Sequence, residues 1–195
     1  MYYRGWQHTW QEDGSMIRPH DRLLCYAVSR DGIRWERPEL GLIEFAGSKQ
    51  NNILDEKHYP GFKGGIFIDP REEDPRKRYK GLVMSTVQSS RMRFDLYTSP
   101  DAFNWTPHPA NPVIEWADRK GRWGPTAMMG WDPIRQVYAA HMEICLHQSC
   151  PMGKRIIGRS ESPDLMHWSD TEPIIVPDAD DYPDTEFYSM WATTY

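Results

Sequence analysis

Asp184, Glu186 and Glu143 are the residues of this chain whose type and position suit bond-breaking chemistry. Two carboxyl groups flanking a bond make an acid–base pair. One keeps a proton for the leaving oxygen, the other activates water or attacks carbon, and such a pair can cleave a glycosidic bond. Asp118 and Asp178, in connecting segments, are further acids of this kind. His141, Cys145, His147 and Cys150 are residue types that ligate zinc. In an extended strand, however, His141, Cys145 and His147 span roughly 20 Å at about 3.3 Å per residue, too far for one ion. Neither a metal nor any other cofactor is expected. Trp6, Trp10, Trp116 and Trp123 offer flat rings for a sugar's C–H face, and packing between sheets is an equal alternative for each.

These residues must be held by strands. The chain carries 9 Trp, 10 Tyr and 6 Phe, so its apolar mass lies largely in aromatics that favour sheets. Its 16 Pro and 14 Gly are spread along the sequence, as turns between short strands would require. The segment Ser-x-Asp-x-x-x-Trp occurs three times, at Ser29 to Trp35, Ser99 to Trp105 and Ser162 to Trp168. Its Trp residues stand 70 and 63 residues apart. Each copy follows a strand-like run, and its Ser and Asp can accept from the turn's backbone N–H groups, so each marks a hairpin. Asp69-Pro70 and Asp132-Pro133 recur 63 residues apart and read as turns.

Strands are therefore predicted near 65–69, 78–86, 94–99, 126–131, 136–144 and 154–160. Helical periodicity is absent. Four strands per period is the pattern of a β-propeller. The expected fold is all-β, with strands B to D of one blade at 1–45, whole blades at 62–112 and 123–176, and the opening strand of another at 184–192. The reading is one domain over 1–195, incomplete at both ends, with missing blades on further sequence or a second chain.

The net charge of −5, with acids and bases interspersed, argues against nucleic acid and anionic membranes as partners. No apolar run is long enough to span a bilayer, and residues 1–6 lack a signal-peptide layout. As written, the sequence points to the cytoplasm. Cys25, Cys145 and Cys150 are an odd number in a chain that needs no staples, and free thiols are expected.

Ser162-Pro-Asp164-Leu165-Met-His167-Trp168, followed by Glu172-Pro173-Ile174, resembles the hairpins of the invertase, levansucrase and arabinanase superfamily of five-bladed glycoside hydrolases. Cys25 to Pro38, Gly41 to Glu44 and Asn51 to Leu54 are similar to a large, poorly characterised branch of it. The Asp-box of sialidases differs, because its Asp and Trp stand one residue further apart. The resemblance implies a partial five-bladed propeller acting on an oligosaccharide or glycoside. Its active site would be a funnel at the starts of strands A and the ends of strands B, with the Asp-Pro turns and Ser-x-Asp hairpins at the opposite end.

On that funnel fall Glu186 and Asp184, at the start of the last strand A, and Glu143, at the end of a strand B. Arg4 holds in its own strand B the place of Glu143. The candidate catalytic residues are Glu186, as general acid, with Glu143 and Asp184. Arg4, Trp6, His141, Arg122 and Trp123 are the candidate substrate-binding residues. The family pattern also places acids at the starts of three successive strands A, whereas here those starts carry Gly64-Gly65 and Gly124-Pro125. A binding or scaffold propeller without catalysis therefore remains the alternative to a hydrolase. A phosphorylase, using Arg4, Arg119 and Arg122 for phosphate, is a third reading.

Overall fold

A computed structural model describes residues 1–55, 58–87, 91–115, 126–145, 154–190 and 192. Among them the fold is all-β with antiparallel sheets, apart from one 3-10 turn at Pro75–Lys77. The chain divides into two compact units, Met1–Tyr59 and Pro60–Tyr195. The boundary falls between the first and second predicted blades.

In the first unit β1 (Tyr2–Gly5) pairs with β4 (Leu23–Tyr26), and β2 (Thr9–Trp10) pairs with β3 (Met16–Ile17) in an exposed hairpin between them. Asn52 fastens the following segment to this ribbon. Its backbone accepts from Tyr26 N at 2.9 Å, and its side chain donates to Tyr26 O at 2.6 Å and Tyr3 Oη at 2.8 Å. Ile53 and Leu54 are thereby buried beside Cys25.

The second unit holds two sheets. The first runs β5 (Phe62–Ile68), β6 (Tyr79–Val87), β7 (Arg91–Ser99), with β8 (Thr106–Pro107) and β9 (Ile114–Glu115) in succession along the outer edge of β7. Between β8 and β9 the Asn111 side chain stands in for a strand residue. It accepts from Leu96 N at 2.8 Å and donates to Leu96 O at 2.9 Å. The second sheet runs β10 (Thr126–Asp132), β11 (Val137–Cys145), β12 (Arg155–Ser162), β13 (Glu172–Ile175).

One face of each sheet packs on the other. Leu82, Phe94 and Leu96 of the first sheet share a buried cluster with Tyr138, Ala140, Met142, Ile144 and Ile156 of the second. The leading strands β5 and β10 lie against one another. Gly130, with φ of +84°, permits this approach, since a Cβ there would come within 2.7 Å of the Phe67 ring. At the turn end Tyr138 Oη donates to both carboxylate oxygens of Asp69, at 3.1 and 3.0 Å. The Arg71 guanidinium lies 4.3 Å from the centre of the Trp131 ring.

The three Ser-x-Asp-x-x-x-Trp segments fold alike. Asp31 Oδ1 accepts from Ile33 N and Arg34 N, Asp101 Oδ1 from Phe103 N and Asn104 N, and Asp164 Oδ1 from Met166 N and His167 N, all at 2.8–2.9 Å. The residue after each Asp is left-handed: Gly32 at +72°, Ala102 at +58° and Leu165 at +70°. The indole N–H groups of Trp35 and Trp168 donate to the carbonyls of Gly32 and Leu165. Asp69 and Asp132 likewise accept from the backbone N–H groups after their prolines. In the second unit hairpins and Asp-Pro turns lie at one end of the sheets, opposite the ends of β6 and β11.

The six strands predicted in the second unit are present, and 78–86 pairs with 94–99 as expected. The opening strand expected at 184–192 is absent among the described residues. That segment makes a turn, Thr185 N to Tyr182 O at 2.9 Å, and one main-chain bond to β12, Phe187 N to Arg155 O at 3.0 Å. The residues leading into it, 177–184, carry Pro177 and Pro183 with Asp178, Asp180, Asp181 and Asp184, which favour turns over a ladder.

The boxes make stability acid-sensitive. Burial raises the Asp101 pKa, but the N–H donors of Asn104 and Phe103 and the Ser99 hydroxyl outweigh it and hold it at about 2. A carboxylate depressed in the folded state contributes stability that is complete above its unfolded value, 3.8, and lost as pH falls through the folded value. Thermal melts should therefore show Asp101→Ala costing about 1 kcal/mol at pH 7. The gap from the parent chain should shrink between about pH 4 and pH 2. A gap independent of pH contradicts the assignment.

Candidate active site

The register of the two sheets singles out the site. Tyr79 stands opposite Ser99 in the first sheet and Tyr138 opposite Ser162 in the second, which aligns the pairs that follow. Leu82–Leu96 then corresponds to His141–Arg159, and Met84–Phe94 to Glu143–Ile157. In the first sheet these positions form the apolar face that packs on its neighbour. In the second sheet the same face, turned away from the first, carries His141, Glu143, Arg155, Arg159 and Glu161. His141 and Glu143 are nevertheless only 2 % exposed. Burying such groups is unfavourable unless they are paired, so packing alone does not account for them.

Arg159 organises one end of this face. It donates to Asp132 Oδ2 and to Glu161 Oε1, each at 2.7 Å. Glu161 is shared with Arg135 at 2.8 Å. The Arg159 guanidinium, ahead of the turn N–H groups, holds the Asp132 pKa low. His141 lies beside this network. Burial lowers its pKa, the Arg159 charge lowers it further, and Asp132 opposes them. The ring is therefore neutral at pH 7, and its Nδ1 has no hydrogen-bond partner among the described residues.

Arg155 organises the other end, where β11 finishes and β12 begins. Its Nε donates to Glu186 Oε2 at 2.8 Å, its Nη2 to the same oxygen at 2.5 Å and its backbone N to Oε1 at 3.2 Å. Its guanidinium also lies 5.3 Å from the centre of the Tyr188 ring. The charges of Glu186 and Glu143 both raise the Arg155 pKa, so this guanidinium lies near both carboxylates. In return the Arg155 side chain, then its backbone N–H, hold the Glu186 pKa below the usual carboxylate range. That is opposite to what a general acid needs. Glu186 is a group that stays ionised, suited to act as base or nucleophile.

Asp184 is exposed on the loop before Glu186, and Asp178 accepts Asp180 N within the same turn-rich segment. In the first unit Arg4 is exposed. Trp6 is 50 % exposed, with the Arg22 guanidinium 5.4 Å from its ring centre. Arg122 and Trp123 lie outside the described residues, as do Trp116, Asp118, Arg119, His147 and Cys150. Cys145, at the end of β11, is disulfide-bonded, which overturns the expectation of a free thiol there; Cys25 is free and buried. No group of three or more His, Cys, Asp or Glu among the described residues is arranged to hold a metal ion.

Arg155 and Arg159 were not singled out by sequence reasoning. Aligning the repeats on Ser99 and Ser162 finds Arg159, because it sets Leu96 against an arginine, and aligning the strands before them on Tyr79 and Tyr138 sets Leu82 against His141. No protein-family model matches the chain, and no curated protein matches it.

A face that buries polar groups carries a stability cost. His141→Leu should be neutral or stabilise by about 1 kcal/mol, because it removes a buried polar group whose Nδ1 has no partner. Arg159→Leu should destabilise by about 3 kcal/mol, since it leaves buried Asp132 without its cation. Urea unfolding of both variants tests the pair of signs. A large loss for His141→Leu would make that residue structural.

Proposed function

We propose that this chain is a carbohydrate-active protein of the glycoside hydrolase type, built on blades of a β-propeller and cleaving glycosidic bonds with Glu143 and Glu186. The observation that carries the reading is the exchange of two apolar pairs of the first sheet for His141–Arg159 and Glu143–Ile157 on one face of the second sheet. Arg155 lies near both carboxylates at the end of that face. Two adjacent four-layered antiparallel sheets, with their leading strands β5 and β10 side by side, support the blade reading. A ring of this kind needs at least four such sheets, so further blades complete it in this proposal.

The division of labour follows from the charges. Arg155 keeps Glu186 ionised, which fits it to activate water or attack carbon. The proton for the leaving oxygen then falls to Glu143, the buried carboxyl near the end of β11 whose charge also reaches Arg155. Neutral His141, with an uncommitted Nδ1, supplies a hydrogen bond to a sugar hydroxyl. Asp184 has no such neighbours and takes no step in this scheme.

One observation favours a second reading. Both oxygens of Glu186 are engaged by Arg155, as in an ion pair that merely fastens residues 186–188 to β12. A carbohydrate-binding propeller without turnover would keep that clasp. Phosphorolysis draws less support, because Arg155 and Arg159 are already paired with carboxylates.

Sugar release from a panel of 4-nitrophenyl glycosides and oligosaccharides separates the readings. The hydrolase reading expects turnover that falls by about 10²–10⁴-fold in Glu143→Gln and in Glu186→Gln. Binding of a glycan with no turnover in the parent chain would replace it with the binding reading. Turnover unchanged in both variants would remove these residues from the chemistry.

A further inference from the structure

A second cleft, of about 300 Å³, opens between the two sheets of the second unit at the turn end, away from the candidate active site. Its lining balances three acids, Asp69, Glu72 and Asp164, against three bases, Arg71, Lys77 and Lys80. Net charge therefore does not select a ligand here. What selects one is which groups are already committed.

The acceptors are taken. Asp69 receives the Tyr138 hydroxyl and Arg71 N, and Glu72 receives Lys80 Nζ and Asp74 N. Asp164 receives two backbone N–H groups of its box, the Ser162 hydroxyl and the His167 ring.

The donors are not taken. Lys80 is 5 % exposed, yet its ammonium donates one hydrogen bond, to Glu72, and stands 3.9 Å from Asp69 Oδ2. That leaves N–H groups of a buried cation without acceptors among the described residues, which is unfavourable unless something fills them. Thr98, directly opposite Lys80 in the register and 7 % exposed, has a hydroxyl with no partner among the described residues. His108 Nδ1 accepts the Ala110 N–H at 3.2 Å, which places the ring proton on Nε2 as a further donor. Lys77 lies close enough that its charge, with that of Lys80, depresses the His108 pKa below what burial alone does.

We infer that this cleft binds an oxyanion of the phosphate type through Lys77, Lys80, Thr98 and His108, with room for a small organic group attached to it. Lys77, Thr98 and His108 as open donors, with the remaining N–H groups of Lys80, face committed acceptors and call for a ligand that only accepts, and phosphate oxygens do so. The apolar floor of Leu96, Leu165 and Met166 suits the carbon frame of a phosphate ester.

Calorimetric titration of the chain with inorganic phosphate, glucose 6-phosphate and glucose tests the inference. Saturable binding of the two phosphates and not of glucose is expected. Tighter binding of the ester would identify the organic group as part of the ligand, and equal binding would identify the free anion. Lys80→Met removes the cation paired with Glu72 and is prone to misfold, so the decisive variants are Lys77→Ala, at an exposed position, and Thr98→Val, of equal shape. Each should weaken phosphate binding by about 5–10-fold while melting near the parent temperature. Absence of saturable phosphate binding, or affinity unchanged in both variants, would overturn the site.

Discussion

The contact between the two sheets of the second unit is the constraint on which the rest depends. Leu82, Phe94 and Leu96 on one side and Tyr138, Met142 and Ile156 on the other form one apolar cluster. Each of these side chains alternates along its strand with neighbours that point the other way. Committing one face to this contact therefore fixes what the opposite face presents. The closeness of the contact is set at Gly130, where the Phe67 ring occupies the space a side chain would take. Its turn end is tied by the Tyr138 hydroxyl on Asp69 and by Arg71 over Trp131. A slip of one residue in β11 would exchange the two faces, sending His141 and Glu143 into the apolar contact. The register thus defines the site as well as the core.

Polar groups gather at both ends of this arrangement for different reasons. At the turn end they are structural in part: the Ser-x-Asp boxes and Asp-Pro turns satisfy backbone N–H groups and keep their carboxylates ionised. The cleft between them departs from that pattern, because its buried cation is left with fewer acceptors than donors. On the outer face of the second sheet the departure is larger. A neutral buried histidine, a buried glutamate and two arginines occupy positions that the preceding repeat fills with Leu and Met. Desolvation and Arg159 keep the histidine uncharged, and Arg155 keeps Glu186 charged. Groups on one face pushed in opposite directions from charge are a pattern also found where acid–base chemistry is done.

Much of the scaffold is legible in the sequence because its signals are local. A Ser and an Asp two residues apart can close a turn by themselves, so three copies of the box locate three hairpins without knowledge of the fold. Alternation and aromatic content place the strands between them. Legibility ends where tertiary neighbours decide. Glu186 reads as a proton donor until Arg155, 31 residues earlier, is seen to hold it ionised. Residues 184–192 read as a strand by analogy with earlier repeats, yet the prolines and aspartates of 177–184 that lead into them favour turns. The bond at Cys145 was missed because an odd cysteine count argues against a disulfide framework, not against a single bridge. The arginines were overlooked because an arginine in a strand looks like a solvated face until its register partner is known to be buried.

The central claim is that the outer face of the second sheet is a working polar surface, with a desolvated, neutral His141 beside Arg159. Titrating the histidine rings by NMR tests it most directly, with a His141→Leu sample to assign the signal. The account predicts that the His141 ring titrates below its ordinary value of 6.5 and is uncharged at pH 7. A His141 signal titrating at or above 6.5 would mean that the ring is solvated or paired with an acid, and would contradict the account.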